Sequence, residues 1–121
     1  MSRRTVNAIC RKLPGAEVCD PWAQPGDDSP GHDAWKVGGK MFACIGAKTP
    51  GVSVKTDSIE TAQMLIEAGV GAKAPYFHRS WVLLNPDTDK DELRHRIVES
   101  YKIIRSGLTK KTQAALGPVD E

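Results

Sequence analysis

The sequence has little of what usually announces a chemistry. It holds only three cysteines, Cys10, Cys19 and Cys44, and no CxxC spacing. An odd number at scattered positions argues against a structural disulfide or a zinc site and fits reduced thiols. Cys10 and Cys44 fall on apolar-patterned segments and read as small core residues, whereas Cys19 falls in a loop. No apolar run approaches the ~20 residues of a membrane-crossing helix. The stretch from Met1 to Asn7 lacks the apolar centre of a signal peptide. The expectation is a cytoplasmic protein with no membrane contact. A strong charge excess is missing as well. The formal net charge is +2, short of the balance that marks an evident nucleic-acid binder.

Catalytic motifs are also lacking. Gly46-Ala47-Lys48-Thr49 and Gly69-Val70-Gly71-Ala72-Lys73 both miss the pattern with which a phosphate-binding loop wraps its amides around phosphate. There is no GxSxG elbow and no HExxH helix. His32, His78 and His95 stand far apart, and each reads as a surface histidine. Asp27-Asp28 lacks the regular oxygen spacing that calcium demands. Asp87, Asp89, Asp91 and Glu92 are explained by a helix start. No catalytic residue, metal ligand or cofactor is therefore expected.

What is present is clear local patterning. The length of 121 residues suits one domain, 1–121, with a single core. Val6, Ile9, Cys10 and Leu13 recur at helical spacing until Pro14-Gly15, which predicts a helix over about 3–13. A Pro/Gly-rich acidic loop follows over 14–33. Ala34–Val37 and Lys40–Ile45 alternate around Gly38-Gly39, a hairpin signal. A two-residue turn would set Trp35 opposite Phe42 and Lys36 opposite Met41. Val52–Lys55 reads as a third strand. A second helix is expected after a capping box with Asp57 as cap, ending at Gly69. Residues 71–80 read as irregular and Trp81–Leu84 as a buried strand. The next helix is expected from Thr88 to Gly107, with Leu93, Ile97, Tyr101 and Ile104 on one face. A short helix over 108–117 and a frayed tail at 118–121 close the chain. The fold class is α+β and two-layered, an antiparallel sheet with helices on one face, in the order α-β-β-β-α-β-α.

Charge is unevenly spread. Residues 17–33 hold five acids and no Lys or Arg, while 34–56 hold Lys36, Lys40, Lys48 and Lys55 and no acid. Lys55-Thr56, just before the second helix, would offer free amides to a phosphate, but Asp57 at the cap would repel it.

The run Trp35-Lys36-Val37-Gly38-Gly39-Lys40-Met41-Phe42-Ala43, followed by Val52-Ser53-Val54-Lys55-Thr56, resembles the MmcQ/YjbR family. Pro75-Tyr76, Trp81-Val82 and Ser100-Tyr101 continue the pattern in order. The resemblance implies a compact α+β fold similar to the frataxin/CyaY or secretion-chaperone type. It also implies a DNA-binding label that names no catalytic residue. The chain departs from the pattern in an acidic, Pro-rich expansion at 23–33. It departs again in Phe77-His78-Arg79-Ser80, where relatives carry Asn-Lys-x-His.

The leading expectation is a non-enzymatic protein that contacts DNA phosphates through Lys36, Lys40, Lys48 and Lys55, with Arg79 contributing. Solvated strand edges are the competing reading of these lysines. The alternative is a protein-interaction or small-ligand adaptor with a pocket lined by Trp35, Phe42 and Trp81. Ordinary core packing competes for the tryptophans. An enzyme ranks behind both.

Overall fold

A computed structural model describes residues 2–23, 25–26, 31–47 and 50–118. The chain runs α1 (Arg3–Arg11), β1 (Glu17–Cys19), β2 (Asp33–Val37), β3 (Lys40–Ile45), β4 (Val52–Lys55), α2 (Ile59–Glu67), β5 (Gly71–Lys73), β6 (Trp81–Leu84), α3 (Lys90–Ser106) and α4 (Lys110–Leu116). All neighbouring strands are antiparallel, in the order β1-β2-β3-β4-β6-β5. The expected α+β class and succession of elements are there. Short strands β1 and β5 are added at the two edges, in stretches that read as loop. Neither has an apolar alternation to reveal it: all of β1 is exposed, and β5 is Gly-Ala-Lys. Gly71 is required where it sits, because a Cβ there would meet the Leu83 carbonyl oxygen at 2.6 Å.

Gly38 and Gly39 both take positive φ, 57° and 82°, as a two-residue hairpin turn demands. Lys36 pairs with Met41 as expected. Trp35, however, pairs with Ala43, because the register shifts and Phe42 becomes an extra residue on β3. Such a bulge re-aims a side chain. Phe42 turns fully into the core and meets Tyr101 edge-on, centroids 5.4 Å apart.

Helix starts are set by side-chain caps. Ser58, rather than Asp57, caps α2, its hydroxyl accepting from Thr61 N at 3.0 Å. Asp89, one residue past the expected start, caps α3. Leu93, Ile97 and Tyr101 are fully buried as the periodicity predicts. They join α1 residues Val6 and Ile9 and sheet residues Trp35, Val37, Val54 and Val82 in one core. α3 lies over β2, β3 and β4, and α2 over β5 and β6, so the helices cover one face of the sheet. No helix is long and apolar enough to cross a membrane, among the described residues.

Candidate functional site

Side chains alternate across a strand, so each β residue between two core residues belongs to the face that the helices leave open. The register sets Ala34, Cys44, Ser53, Leu83 and Ala72 in one row on that face. Ala34, Cys44 and Ser53 are nevertheless buried. Residues far apart in sequence come over them, Trp22 and His32 on one side and Pro75 to Phe77 on the other. Between the two sides lies a cavity of about 490 Å³. Its floor is Cys44, Gly46, Ser53 and Leu83, and its walls are Trp22, His32, Pro75, Tyr76 and Phe77. This is ligand-pocket size, and the lining is of the expected kind: mostly apolar and aromatic, with a few polar groups.

The walls are held in place. One oxygen of Asp20 accepts the Trp22 amide at 3.1 Å, and the other accepts the His32 amide at 3.1 Å. This carboxylate closes the loop on itself, and a side chain at Gly31 would overlap it. The Trp22 and His32 rings then meet at 4.7 Å. Arg3 donates to the carbonyls of Gly31 at 2.8 Å and Gly46 at 3.1 Å, tying α1 to both strand-end loops beside the cavity. On the opposite wall Phe77 stacks on Trp81 at 4.5 Å. Tyr76 is fully exposed and is the one non-glycine at positive φ, 70°, among the described residues. A bulky residue held there is strained, and strain of this kind gathers at ligand clamps.

The floor is neutral. Burial, with smaller contributions from Asp20 and Asp33, pushes the Cys44 thiol up to about 11. It stays protonated at neutral pH and is no nucleophile. Among the described residues no group of three or more His, Cys, Asp and Glu is placed to hold a metal ion. Asp27 and Asp28 lie outside the described residues.

The expected site residues scatter. Trp35 and Phe42 are buried core residues on the helix-covered face. Trp35 hydrogen-bonds Asn7 Oδ1 through Nε1 at 2.8 Å. Trp81 lies on the open face, stacked on the cavity-wall residue Phe77. Lys36, Lys40, Lys55 and Arg79 do gather at one end of the sheet, where β2 turns into β3, β4 ends and β6 begins. Lys40 and Arg79 are exposed. Lys36 stands opposite Glu17 in the register. Lys55 is half-buried and donates to Ser80 Oγ at 2.6 Å. Lys48 lies outside the described residues. Thr56 is turned inward, its hydroxyl spanning the carbonyls of Ser58 at 2.7 Å and Ser80 at 2.6 Å. A smaller cavity of about 210 Å³ between α2 and α3 has charges of both signs: Lys55, Asp57, Arg96 and Glu99.

Trp22, His32, Tyr76 and Phe77 were not legible as a site. Their signal was faint: aromatic residues beside prolines, Pro21-Trp22 and Pro75-Tyr76-Phe77, in segments with no helical or strand pattern to bury them.

The sequence model described as YjbR matches residues 11–103. No curated protein matches the chain. Among solved structures, the crystal structure of the Deinococcus radiodurans protein DR2400, with a domain described as DUF419, is similar at a TM-score of 0.75. Its identity is 23%, over 96% of this chain and 88% of that one, a likeness that carries the fold.

Proposed function

Because the chain belongs to the YjbR family, and a fold does not imply a chemistry, function is read from the site: we propose a binding domain that takes a small aromatic molecule in the cleft on its open sheet face. The observation that carries this reading is the cavity of about 490 Å³ between two aromatic walls. Trp22 is half exposed, with its ring against His32, and Tyr76 is fully exposed at a strained φ. They offer π faces to a ring entering between them, and such contacts are worth about 0.5–1.5 kcal/mol each beyond the buried area. The neutral floor favours an uncharged ring, with the Ser53 hydroxyl and His32 as polar contacts.

The test is a two-dimensional NMR titration with a panel of neutral aromatic fragments. Binding in the cleft shifts the amides of Cys44, Ser53 and Leu83 and is weakened by Trp22→Ala. Trp22 is 51% exposed, so that substitution leaves the core intact. A panel with no binder, or binders that shift only other residues, refutes the reading.

The cluster of Lys36, Lys40, Lys55 and Arg79 at one sheet end supports a second reading, weak phosphate contact with DNA. Each neutralised phosphate adds about −0.9 to the slope of log K against log salt. With Lys40 and Arg79 the exposed pair, the expected slope is about −2, and affinity falls about 12-fold from 50 to 200 mM salt. No complex at tens of micromolar protein in low salt would exclude this second reading.

A further inference from the structure

The cleft itself lacks Lys, Arg, Asp and Glu among its described lining residues. One step along the same sheet face the chemistry changes. Lys55 follows Ser53 by two residues on β4, about 7 Å along the strand, and pairs with Trp81 as Ser53 pairs with Leu83. Its ammonium donates to Ser80 Oγ at 2.6 Å, and Ser80 is only 4% exposed. His78 Nδ1 lies 2.9 Å from the same oxygen and accepts the Ser80 amide at 3.1 Å. Ser80 Oγ thus lies between the Lys55 ammonium, from which it accepts, and the His78 ring. Among the described residues no carboxylate lies within ion-pairing distance of this ammonium. This half-buried cation, held by a neutral hydroxyl, keeps two further N–H donors and has no carboxylate partner among the described residues. The exposed His78 and Arg79 stand beside it, and Phe77, the next residue back, is the cleft wall.

We propose that the cleft takes an aromatic ring that carries a phosphate, with the ring between Trp22 and Tyr76 and the phosphate at Lys55, Ser80 and His78. A nucleotide has this layout. The inference rests on the cleft being a ligand site and adds the anionic half of the ligand. A free nucleotide and a base unstacked from a single strand present the same chemistry, so both are tested.

The probes are adenosine, adenosine monophosphate, inorganic phosphate and a short single-stranded oligonucleotide, each titrated calorimetrically into the full chain. The monophosphate is expected to bind about tenfold more tightly than adenosine at low salt, since a charge-assisted contact is added. That advantage shrinks at high salt and is lost in Lys55→Gln. In the unsubstituted protein, the amides of Lys55 and Ser80 shift with the monophosphate and not with adenosine. This readout holds even if Lys55→Gln does not fold. Binding of the free monophosphate alone assigns the small molecule; oligonucleotide binding with the same Lys55 and Ser80 shifts assigns the strand. Equal affinity for adenosine and its monophosphate overturns the proposal while leaving the cleft as an aromatic site. An advantage that survives Lys55→Gln overturns it too, since the phosphate then sits elsewhere. Binding of phosphate alone, with no aromatic compound bound, overturns both this proposal and the cleft reading.

Discussion

The Ser100 hydroxyl, on α3, donates to the carbonyl of Phe42 at 2.6 Å. Ser100 Oγ in turn accepts the Lys55 amide at 2.9 Å. Phe42 is the extra residue of the bulge between β2 and β3, and the hydroxyl bridges β3 and β4 next to their Ala43–Val54 pair. Ser100 is fully buried. Ser100→Ala would leave a buried carbonyl and a buried amide without partners, each costing about 1–3 kcal/mol. The expected loss of stability is about 2–4 kcal/mol in urea unfolding. A loss under about 0.5 kcal/mol, the range of inconsequential surface changes, would mean that the bridge contributes nothing.

The hairpin turn carries a second prediction. Gly38 and Gly39 both lie at positive φ, where an L side chain costs about 1–2 kcal/mol. Their surroundings differ. A Cβ at Gly38 would come within 2.6 Å of Leu108 Cδ1, whereas nothing lies within 4 Å of one at Gly39. Gly38→Ala should therefore destabilise more than Gly39→Ala, and Gly39→Asn least, since Asn tolerates this conformation. Thermal unfolding of the three variants checks the order; Gly39→Ala as the most damaging would contradict it.

These two sites show what sequence can carry. The Gly38-Gly39 turn is local, so adjacent residues announced it, and α3 was legible because Leu93, Ile97 and Tyr101 repeat on one helix. The bulge was not, because what supports it is Ser100, 58 residues from Phe42. Asp57 and Ser58 are both good caps, and composition could not choose between them. The cleft escaped for the same reason as the bulge: its walls come from Trp22 and His32 and from Pro75–Phe77, and only the fold lays both over Cys44 and Ser53. Trp35 and Trp81 look alike in sequence, yet the register puts them on opposite faces of the sheet.

Thiol chemistry gives a third prediction. Cys19 is exposed, while Cys10 and Cys44 are buried. Burial raises Cys44 from 9.0 to about 11 and raises Cys10 further. Iodoacetamide at mildly alkaline pH should modify Cys19 first, then Cys44, then Cys10, as read by peptide mass spectrometry. The folded thiol of Cys44 holds its proton where the unfolded one has lost it. Its contribution to stability is therefore complete below pH 9 and is lost as pH rises towards about 11. Cys44→Ala should flatten that alkaline decline. An unchanged decline, or Cys44 labelled before Cys19, would falsify this account of the cleft floor.

Tyr76 separates stability from binding. Its side chain is fully exposed, so removing it forfeits no packing, and its φ of 70° is unfavourable for a side chain of this size. Tyr76→Gly relieves strain of about 1–2 kcal/mol but adds freedom to the unfolded chain, worth about 0.5–1 kcal/mol. Tyr76→Asn relieves part of the strain without that entropic loss. Both variants should be as stable as the parent or more so, by up to about 1 kcal/mol. If the ring is retained to close over a ligand, the same substitutions should weaken binding of an aromatic compound about fivefold or more, the worth of one lost stacking contact. Chemical unfolding and a fragment titration on the same samples read the two effects side by side. Lower stability in both variants would place Tyr76 among the structural residues. Unchanged affinity would remove it from the cleft.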